Sequence, residues 1–261
     1  MLPESQSGQP ERGSAVPFAI WEKGGATEHM GGVYATQRLL EMCNMAPGQT
    51  VLVLGCGTGY TACHLAQRYQ ARVVAVDISP RSVAEARKRV AKAGLGERVT
   101  VVQGDAHRLA DPDCAYDAVI AESVLAFCDA ATVAAEVRRV LRPGGVFGIN
   151  ELTLLKPPPA EFLTLLRDTL GIRPFQEQEW RAVFTGAGFA DVAADVRPVS
   201  LREQFISHIR VDGVRQYLSS VVNGVSDSGI RRAFFTREML RAARQFRPYV
   251  GYGLYAGRKT R

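Results

Sequence analysis

The sequence contains no apolar run that approaches the roughly 20 residues of a membrane-spanning helix. It opens with MLPESQSGQPERGSA, which has neither the basic start nor the apolar stretch of a secretory signal. Both absences argue against membrane insertion and export. They predict a cytoplasmic location.

Cysteine and histidine are sparse and scattered. The chain has 5 cysteines and 4 histidines, without CxxC spacing and without a cluster that combines the two residue types. A zinc site or a disulfide framework requires such groupings, so we expect reduced thiols and no bound metal. The cysteines are Cys43, Cys56, Cys63, Cys114 and Cys128.

Acidic side chains are fewer than basic ones. There are 26 Asp and Glu residues against 32 Lys and Arg residues, a net charge of +6, and arginines are frequent between Arg231 and Arg261. This balance permits an anionic partner but does not require one.

What the chain does have is enough apolar material for one large domain. It is 261 residues long and 46% hydrophobic. Residues 1–18 are polar and rich in Gly, Pro and Ser, which predicts a mobile leader. Residues 19–261 are expected to form the domain, with 201–246 as a helical insert that serves as a lid or lies on the substrate side.

The order of elements predicts the fold. Short apolar strands alternate with amphipathic helices, and Ser79 and Pro80 mark the start of one of these helices. Such alternation is typical of a Rossmann-like α/β fold. We predict a doubly wound, mostly parallel seven-stranded sheet with helices on both faces. The predicted strands are 51–55, 72–77, 99–105, 116–122, 145–152, 191–199 and the C-terminal GYGLYAGRK.

The most informative segment is VLVLGCGTG, a buried strand followed by Gly55, Cys56, Gly57 and Gly59. Glycines allow a sharp turn and a close approach of the backbone to a ligand. A dinucleotide loop reads GxGxxG, whereas here Tyr60 stands where the last glycine would be. The spacing favours a nucleoside ligand without a pyrophosphate, although a tight turn without a ligand remains possible for this loop alone.

Two acids follow neighbouring strands. Asp77 ends the second strand, where a carboxylate can accept hydrogen bonds from ribose hydroxyls, and Asp105 follows the third. Ligands of open α/β sheets bind at the carboxyl ends of the strands. The loop and the two acids together therefore predict a nucleoside site.

These segments resemble the class I S-adenosylmethionine methyltransferases of the small-molecule type. The resemblance covers the glycine loop, Asp77 with Ile78, Asp105 with Ala106, the segments YDAVIAES, RRVLRPGG and GAGFADV, and EHMGGVYAT upstream. It implies S-adenosylmethionine as cofactor, with Asp77 on the ribose and Asp105 on the adenine. It also implies that the segment containing Gly31 folds over the methionyl end.

Methyl transfer from a sulfonium is an in-line displacement, so alignment of the reacting atoms supplies much of the catalysis. Glu122 follows the fourth strand beside the expected methyl position and is the candidate base or substrate anchor. It is alternatively a polar strand end or an indirect support of the cofactor. The candidate substrate contacts are His29, Glu151, Phe205 and His208.

Three other functions stay open. The basic balance is compatible with a nucleic-acid methyltransferase, but the chain lacks a Pro-Cys dipeptide, an Asp-Pro-Pro-Tyr type motif and a recognisable RNA-binding module. A non-catalytic S-adenosylmethionine-binding protein and a nicotinamide oxidoreductase are the remaining alternatives. The preferred hypothesis is methyl transfer to a partly apolar small molecule, with the acceptor atom and the oligomeric state open.

Overall fold

The computed structural model describes residues 29–200, 206–207 and 244–260. The predicted leader at residues 1–18 lies outside the described residues, as does most of the predicted insert at 201–246. No helix of the described part of the chain is long and apolar enough to cross a membrane.

The strands form one sheet in the order β3-β2-β1-β4-β5-β8-β7, with β6 paired to β5. Strand β8 runs antiparallel to both of its neighbours, and the other pairings are parallel. The strands are β1 Thr50–Leu54, β2 Arg72–Asp77, β3 Val99–Gln103, β4 Tyr116–Glu122, β5 Leu141–Leu154, β6 Phe175–Gln176, β7 Phe189–Pro198 and β8 Val250–Lys259.

The predicted doubly wound, mostly parallel sheet is confirmed, with one addition. Strand β5 continues past its predicted end at residue 152, and its last two residues pair with the two-residue strand β6. The sheet therefore has eight strands instead of seven. A strand of two residues has too few positions to show an alternating pattern, so the sequence carried no signal for it.

Helices cover both faces of the sheet. They are α1 Gly32–Met42, α2 Tyr60–Arg68, α3 Pro80–Lys92, α4 Ala130–Val140, α5 Ala160–Leu170 and α6 Glu177–Gly186. Two short 3-10 turns occupy Leu125–Phe127 and Arg247–Tyr249.

The core consists of two main apolar layers, one on each side of the sheet. Within β1, Val51 and Val53 belong to the layer under α1, α2 and α3, whereas Leu52 and Leu54 belong to the layer under α4 and α6. Successive side chains of a strand point to opposite faces, so a fully apolar strand fills both layers.

The start of α1 depends on a distant residue. Its N-cap, Gly31, supplies no side-chain acceptor, and the backbone N–H of Val33 instead donates to Ser207 Oγ at 2.8 Å. Ser207 is fully buried. Because the first amides of a helix have no partner within it, Ser207 completes α1 from the beginning of the insert.

Parallel pairing brings the functional residues to one edge of the sheet. The carboxyl ends of β1, β2, β4 and β5 lie side by side, and Glu122 of β4 is in register with Asn150 of β5. This edge is where open α/β sheets bind their ligands.

Candidate functional site

Gly57 and Gly59, two of the three glycines after β1, have different structural roles. A Cβ on Gly59 would lie 3.1 Å from Ala86 Cβ, so this glycine lets α2 pack closely against α3. A Cβ on Gly57 would meet nothing within 4 Å, although its backbone φ is +52°. The loop thus presents an open surface at Gly57.

Asp77 fixes this loop from the end of β2. Its Oδ2 accepts the Gly57 amide at 2.8 Å, and its Oδ1 accepts the Ser79 amide at 2.9 Å. An ionised carboxylate can accept about four hydrogen bonds. The two backbone bonds therefore place the Asp77 carboxylate beside the loop at Gly57.

An apolar side chain stands next to this carboxylate. Ile78 is 56% exposed, and the Gln103 side chain donates to its carbonyl oxygen at 3.2 Å. An exposed isoleucine beside an open loop is a suitable surface for a flat ring.

Asp105 lies at the next strand end and is bonded to His107. Its Oδ1 accepts the His107 amide at 2.9 Å and lies 2.7 Å from His107 Nδ1. Partial burial of Asp105 opposes ionisation, but the bonds from His107 and its charge together lower the pKa of this carboxyl. Asp105 is therefore a charged acceptor at the rim of the site. Ala106, which follows it, is partly buried against the core layer under α4.

Comparisons with known proteins bear on the family of this chain. A family model described as a methyltransferase domain matches residues 51–145. The uncharacterized methyltransferase YodH of Bacillus subtilis is 33% identical over 173 residues, which are 66% of this chain and 72% of that protein. The chain belongs to the class I S-adenosylmethionine-dependent methyltransferases. A 27-O-demethylrifamycin SV methyltransferase of Amycolatopsis mediterranei is 34% identical over 57% of this chain, which spans about half, 54%, of that protein's length.

Solved structures share the fold of this methyltransferase at low sequence identity. The [4+2]-cyclase SpnF superposes with a TM-score of 0.71 and 22% identity, over 94% of this chain and 93% of SpnF. The phosphoethanolamine N-methyltransferase 2 of Haemonchus contortus, with S-adenosyl-L-methionine, gives 0.73 and 20%, over 94% of this chain and 57% of that one. At this identity the likeness concerns the fold alone, and SpnF itself is a cyclase.

S-adenosylmethionine is the cofactor of this methyltransferase, and the residues at the strand ends fit it. A side chain at Gly57 would project into the open space over the loop. The Asp77 carboxylate lies at this loop, and Ile78 offers an exposed apolar face beside it. Within the described residues, no group of three or more His, Cys, Asp or Glu could hold a metal ion.

Glu122 is the centre of a buried hydrogen-bond network. Its Oε1 accepts the Thr36 hydroxyl at 3.0 Å and lies 3.1 Å from His29 Nε2, and its Oε2 accepts the Thr61 hydroxyl at 2.6 Å. The Glu122 side chain is only 6% exposed. This carboxylate joins β4 to α1 and α2, and the His29 ring lies beside it.

Asn150 sets the orientation of His29. Its Nδ2 donates to the Met30 carbonyl oxygen and to His29 Nδ1, both at 2.9 Å. Since an amide nitrogen only donates, Nδ1 accepts, and the ring proton lies on Nε2, which is bonded to the Thr36 hydroxyl oxygen at 2.9 Å. Both ring nitrogens of His29 are thereby engaged. Asn150 Oδ1 is buried and has no hydrogen-bond partner among the described residues.

Glu151 differs from the substrate contact that the sequence predicted. It is fully buried, and its Oε1 accepts the amides of Val124 and Leu125 at 2.8 and 2.7 Å, while Oε2 accepts that of Ala126 at 3.3 Å. The carboxylate therefore holds the 3-10 turn after β4 in place. The Glu151 side chain points toward the backbone of this turn. The amides at the start of the turn have no partner within it, and Glu151 supplies their acceptors.

Of the remaining predicted residues, Phe205 and His208 lie outside the described residues. Gly31 has a φ of +77°, and a Cβ there would lie 2.6 Å from Tyr252 Cζ. The backbone of this segment thus packs directly on β8. Cys56 is buried in the glycine loop, and this burial raises the pKa of its thiol to about 12, so it stays neutral.

Sequence reasoning missed Thr36 and Thr61, which are 1% and 7% exposed. Both occupy the apolar faces of their helices, where Ala35 and Leu39 or Ala62 and Leu65 are their neighbours. A hydroxyl on a buried face needs a partner, and this was the available signal.

The open space at Gly57 leads to a prediction. The substitution Gly57→Val should abolish detectable S-adenosylmethionine binding, because the valine side chain would occupy the open space over the loop. The left-handed backbone should cost about 1 to 2 kcal/mol of stability. Gly94→Val is the matched control, since Gly94 has a φ of +67° and nothing within 4 Å of a Cβ. Calorimetric titration and urea unfolding of both variants check this. Equal cofactor affinity in the two variants would contradict it.

The buried carboxyl of Glu151 leads to a second prediction. Burial raises its pKa from 4.5 to about 7, against the opposing effect of the three amides. Between these pH values the folded protein holds a proton that the unfolded chain releases. The free energy of unfolding should therefore fall as the pH rises from 4.5 to about 7.

Glu151→Gln removes this titration, so the fall should be smaller in that variant. Urea unfolding at closely spaced pH values measures the difference, and Glu97→Gln, at an exposed turn residue, is the control. Parallel stability curves for wild type and Glu151→Gln would show that the buried carboxyl does not titrate in this window.

Proposed function

We propose that the protein transfers the methyl group of S-adenosylmethionine to a small-molecule nucleophile by in-line displacement. The observation that carries the proposal is the open glycine loop at Gly57. The carboxylate of Asp77, which accepts the Gly57 amide, and the exposed side chain of Ile78 lie beside it. These groups would hold the adenosyl part of S-adenosylmethionine.

The proposed cofactor contacts follow the strand ends. Asp77 accepts the ribose hydroxyls, Ile78 lies against the adenine, and Asp105 with Ala106 meets the exocyclic amine. The backbone of the loop and of the segment before α1 lies along the methionyl end. The residues of this proposed contact set are Gly31, Gly55, Cys56, Gly57, Gly59, Asp77, Ile78, Asp105 and Ala106.

The small-molecule substrate class is supported by the names of relatives. They include the rifamycin methyltransferase, a sterol 24-C-methyltransferase of Gibberella zeae and a phosphoethanolamine N-methyltransferase of Arabidopsis thaliana. The chain covers 28% and 34% of the last two proteins. A partly apolar substrate and a cytoplasmic location belong to the same proposal. The latter is supported by the five cysteines, all of which are free thiols.

The bound cofactor supplies a methyl group activated by a positively charged sulfur. The chain's own contribution is to bind both reactants, to exclude water and to hold the acceptor atom in line with the methyl group. In this mechanism Glu122 is a positioning residue. Its oxygens already accept the hydroxyls of Thr36 and Thr61, so it joins α1 and α2 to β4.

A labelling experiment tests the proposed function. The purified protein is incubated with methyl-labelled S-adenosylmethionine and either a small-molecule cell extract or total RNA, and Gly57→Val is the blank. Label should appear in the small-molecule fraction only. Label in RNA would favour a nucleic-acid substrate. Cofactor binding without any transfer would favour a non-catalytic protein.

The role of Glu122 yields a separate prediction. In Glu122→Gln one of the two hydroxyl donors, Thr36 or Thr61, loses its acceptor oxygen, which should loosen the contact between β4 and these helices and raise the KM for S-adenosylmethionine by about tenfold. The pH profile of kcat should keep its shape. Glu85→Gln, which removes an exposed carboxylate from α3, is the control.

A base at this position would give the opposite pattern. The variant would then lose about 10² to 10⁴ in kcat with an unchanged KM for the cofactor, and the rising limb of the pH profile would disappear. Steady-state kinetics across pH values distinguish the two roles.

A further inference from the structure

A cavity of about 430 Å³ lies between α1, the paired strands β7 and β8, and the beginning of the insert. Small-molecule sites are clefts of roughly 300 to 1,000 Å³ lined mainly by apolar and aromatic groups. Here the described lining includes Tyr34, Ile206, Tyr252 and Leu254. The size and these walls suit a small ligand with an apolar body.

Two arginines also line the cavity. Arg38 follows Tyr34 by one turn on α1, and Arg197 of β7 is in register with Tyr252 of β8. Each side chain is about half exposed, 48% and 54% respectively. A ligand in the cavity therefore meets two guanidinium groups that solvent also reaches.

A single carboxylate holds the two guanidinium groups together. Asp195 Oδ2 lies 3.1 Å from Arg38 Nε and 2.9 Å from Arg197 Nη2, and its Oδ1 accepts Arg197 Nε at 2.9 Å. Arg38 also contacts Glu41 at 3.4 Å. Neither acid belongs to the described lining of the cavity, so the lining itself presents only cationic charge.

The cavity shares a wall with the cofactor site. The Tyr252 ring lines the cavity on one side and lies directly against Gly31 on the other, as close as 2.6 Å to a Cβ placed there. Gly31 precedes α1 in the segment that we place over the methionyl end of the cofactor. An occupant of the cavity would therefore press on the same segment as the cofactor.

We propose that this cavity binds an amphipathic acid. Its carboxylate or phosphate lies between Arg38 and Arg197, and its apolar body lies against Tyr34 and Tyr252. Arginine forks suit both anions, because each oxyanion can accept paired N–H groups. The inference goes beyond the proposed function, because it assigns a ligand class to a cavity that the Tyr252 ring separates from the segment placed over the methionyl end.

Calorimetric titration with four probes of equal chain length tests the inference. Octanoate and octyl phosphate carry the anion, whereas octanol and octylamine replace it with a neutral or a cationic group. The acids should bind about tenfold more tightly than octanol, and octylamine more weakly still. The two acids differ in charge and geometry, so their relative affinities identify which anion the site prefers.

Variants connect the selectivity to the two arginines. Arg38→Gln and Arg197→Gln should each weaken octanoate binding, by roughly threefold to tenfold because both side chains are half exposed. Arg142→Gln is the matched control. Arg142 is similarly exposed, at 49%, and its guanidinium is paired with Asp117 elsewhere on the protein.

The proposal is overturned if octanol binds as tightly as octanoate, if neither acid binds, or if both cavity variants bind octanoate like wild type. S-adenosylmethionine affinity is measured on the same samples. Retained cofactor binding and methyl transfer in those cases would leave the proposed function intact. Conversely, selective binding of the acids that depends on the arginines, in a protein that transfers no methyl group, would support the cavity assignment and reject the proposed function.

Discussion

The arrangement at the carboxyl edge of the sheet depends on one nearly buried charge, the carboxylate of Glu122. A carboxylate removed from water is tolerated only when hydrogen-bond donors replace the lost solvent. Two helices supply these donors, through the hydroxyls of Thr36 and Thr61, and His29 Nε2 lies 3.1 Å from the carboxylate. The requirement of one charge thus determines where α1 and the first helix after the glycine loop lie relative to β4.

A second carboxylate applies the same principle to the backbone. Glu151 is one position further along β5 than Asn150, so its side chain leaves the opposite face of the sheet and meets the turn after β4. Glu122 and Glu151 therefore support the two sides of the same strand ends. Both acids at this edge therefore accept hydrogen bonds from other parts of the chain.

The sequence predicted features whose causes are local. Strands 72–77 and 116–122 were found with their observed bounds, because each is an apolar run with polar residues beside it. The N-cap of α3 at Ser79 was also correct, since its hydroxyl accepts the Ser82 amide only three residues away. Period and capping chemistry are properties of short segments, and a single sequence displays them.

The features that the sequence did not predict arise from contacts between distant residues. Helix α1 begins at Gly32, and the acceptor for its Val33 amide, Ser207, is 174 residues away. The two hydroxyls that donate to Glu122 belong to residues that are 86 and 61 positions away in the sequence. Local pattern identified the residue types at this edge, whereas only the tertiary structure showed which of them are already engaged.

The position of β8 has a consequence for biosynthesis. Among the described strands this one is made after all the others, yet it lies inside the sheet between β5 and β7. Until residues 250–259 have left the ribosome, both neighbours present unpaired edges, and such edges readily pair with other chains. A polypeptide interrupted shortly before this point would hold nearly all of its cofactor site and still be prone to aggregation. We therefore expect chaperones and proteases to act on the incomplete chain.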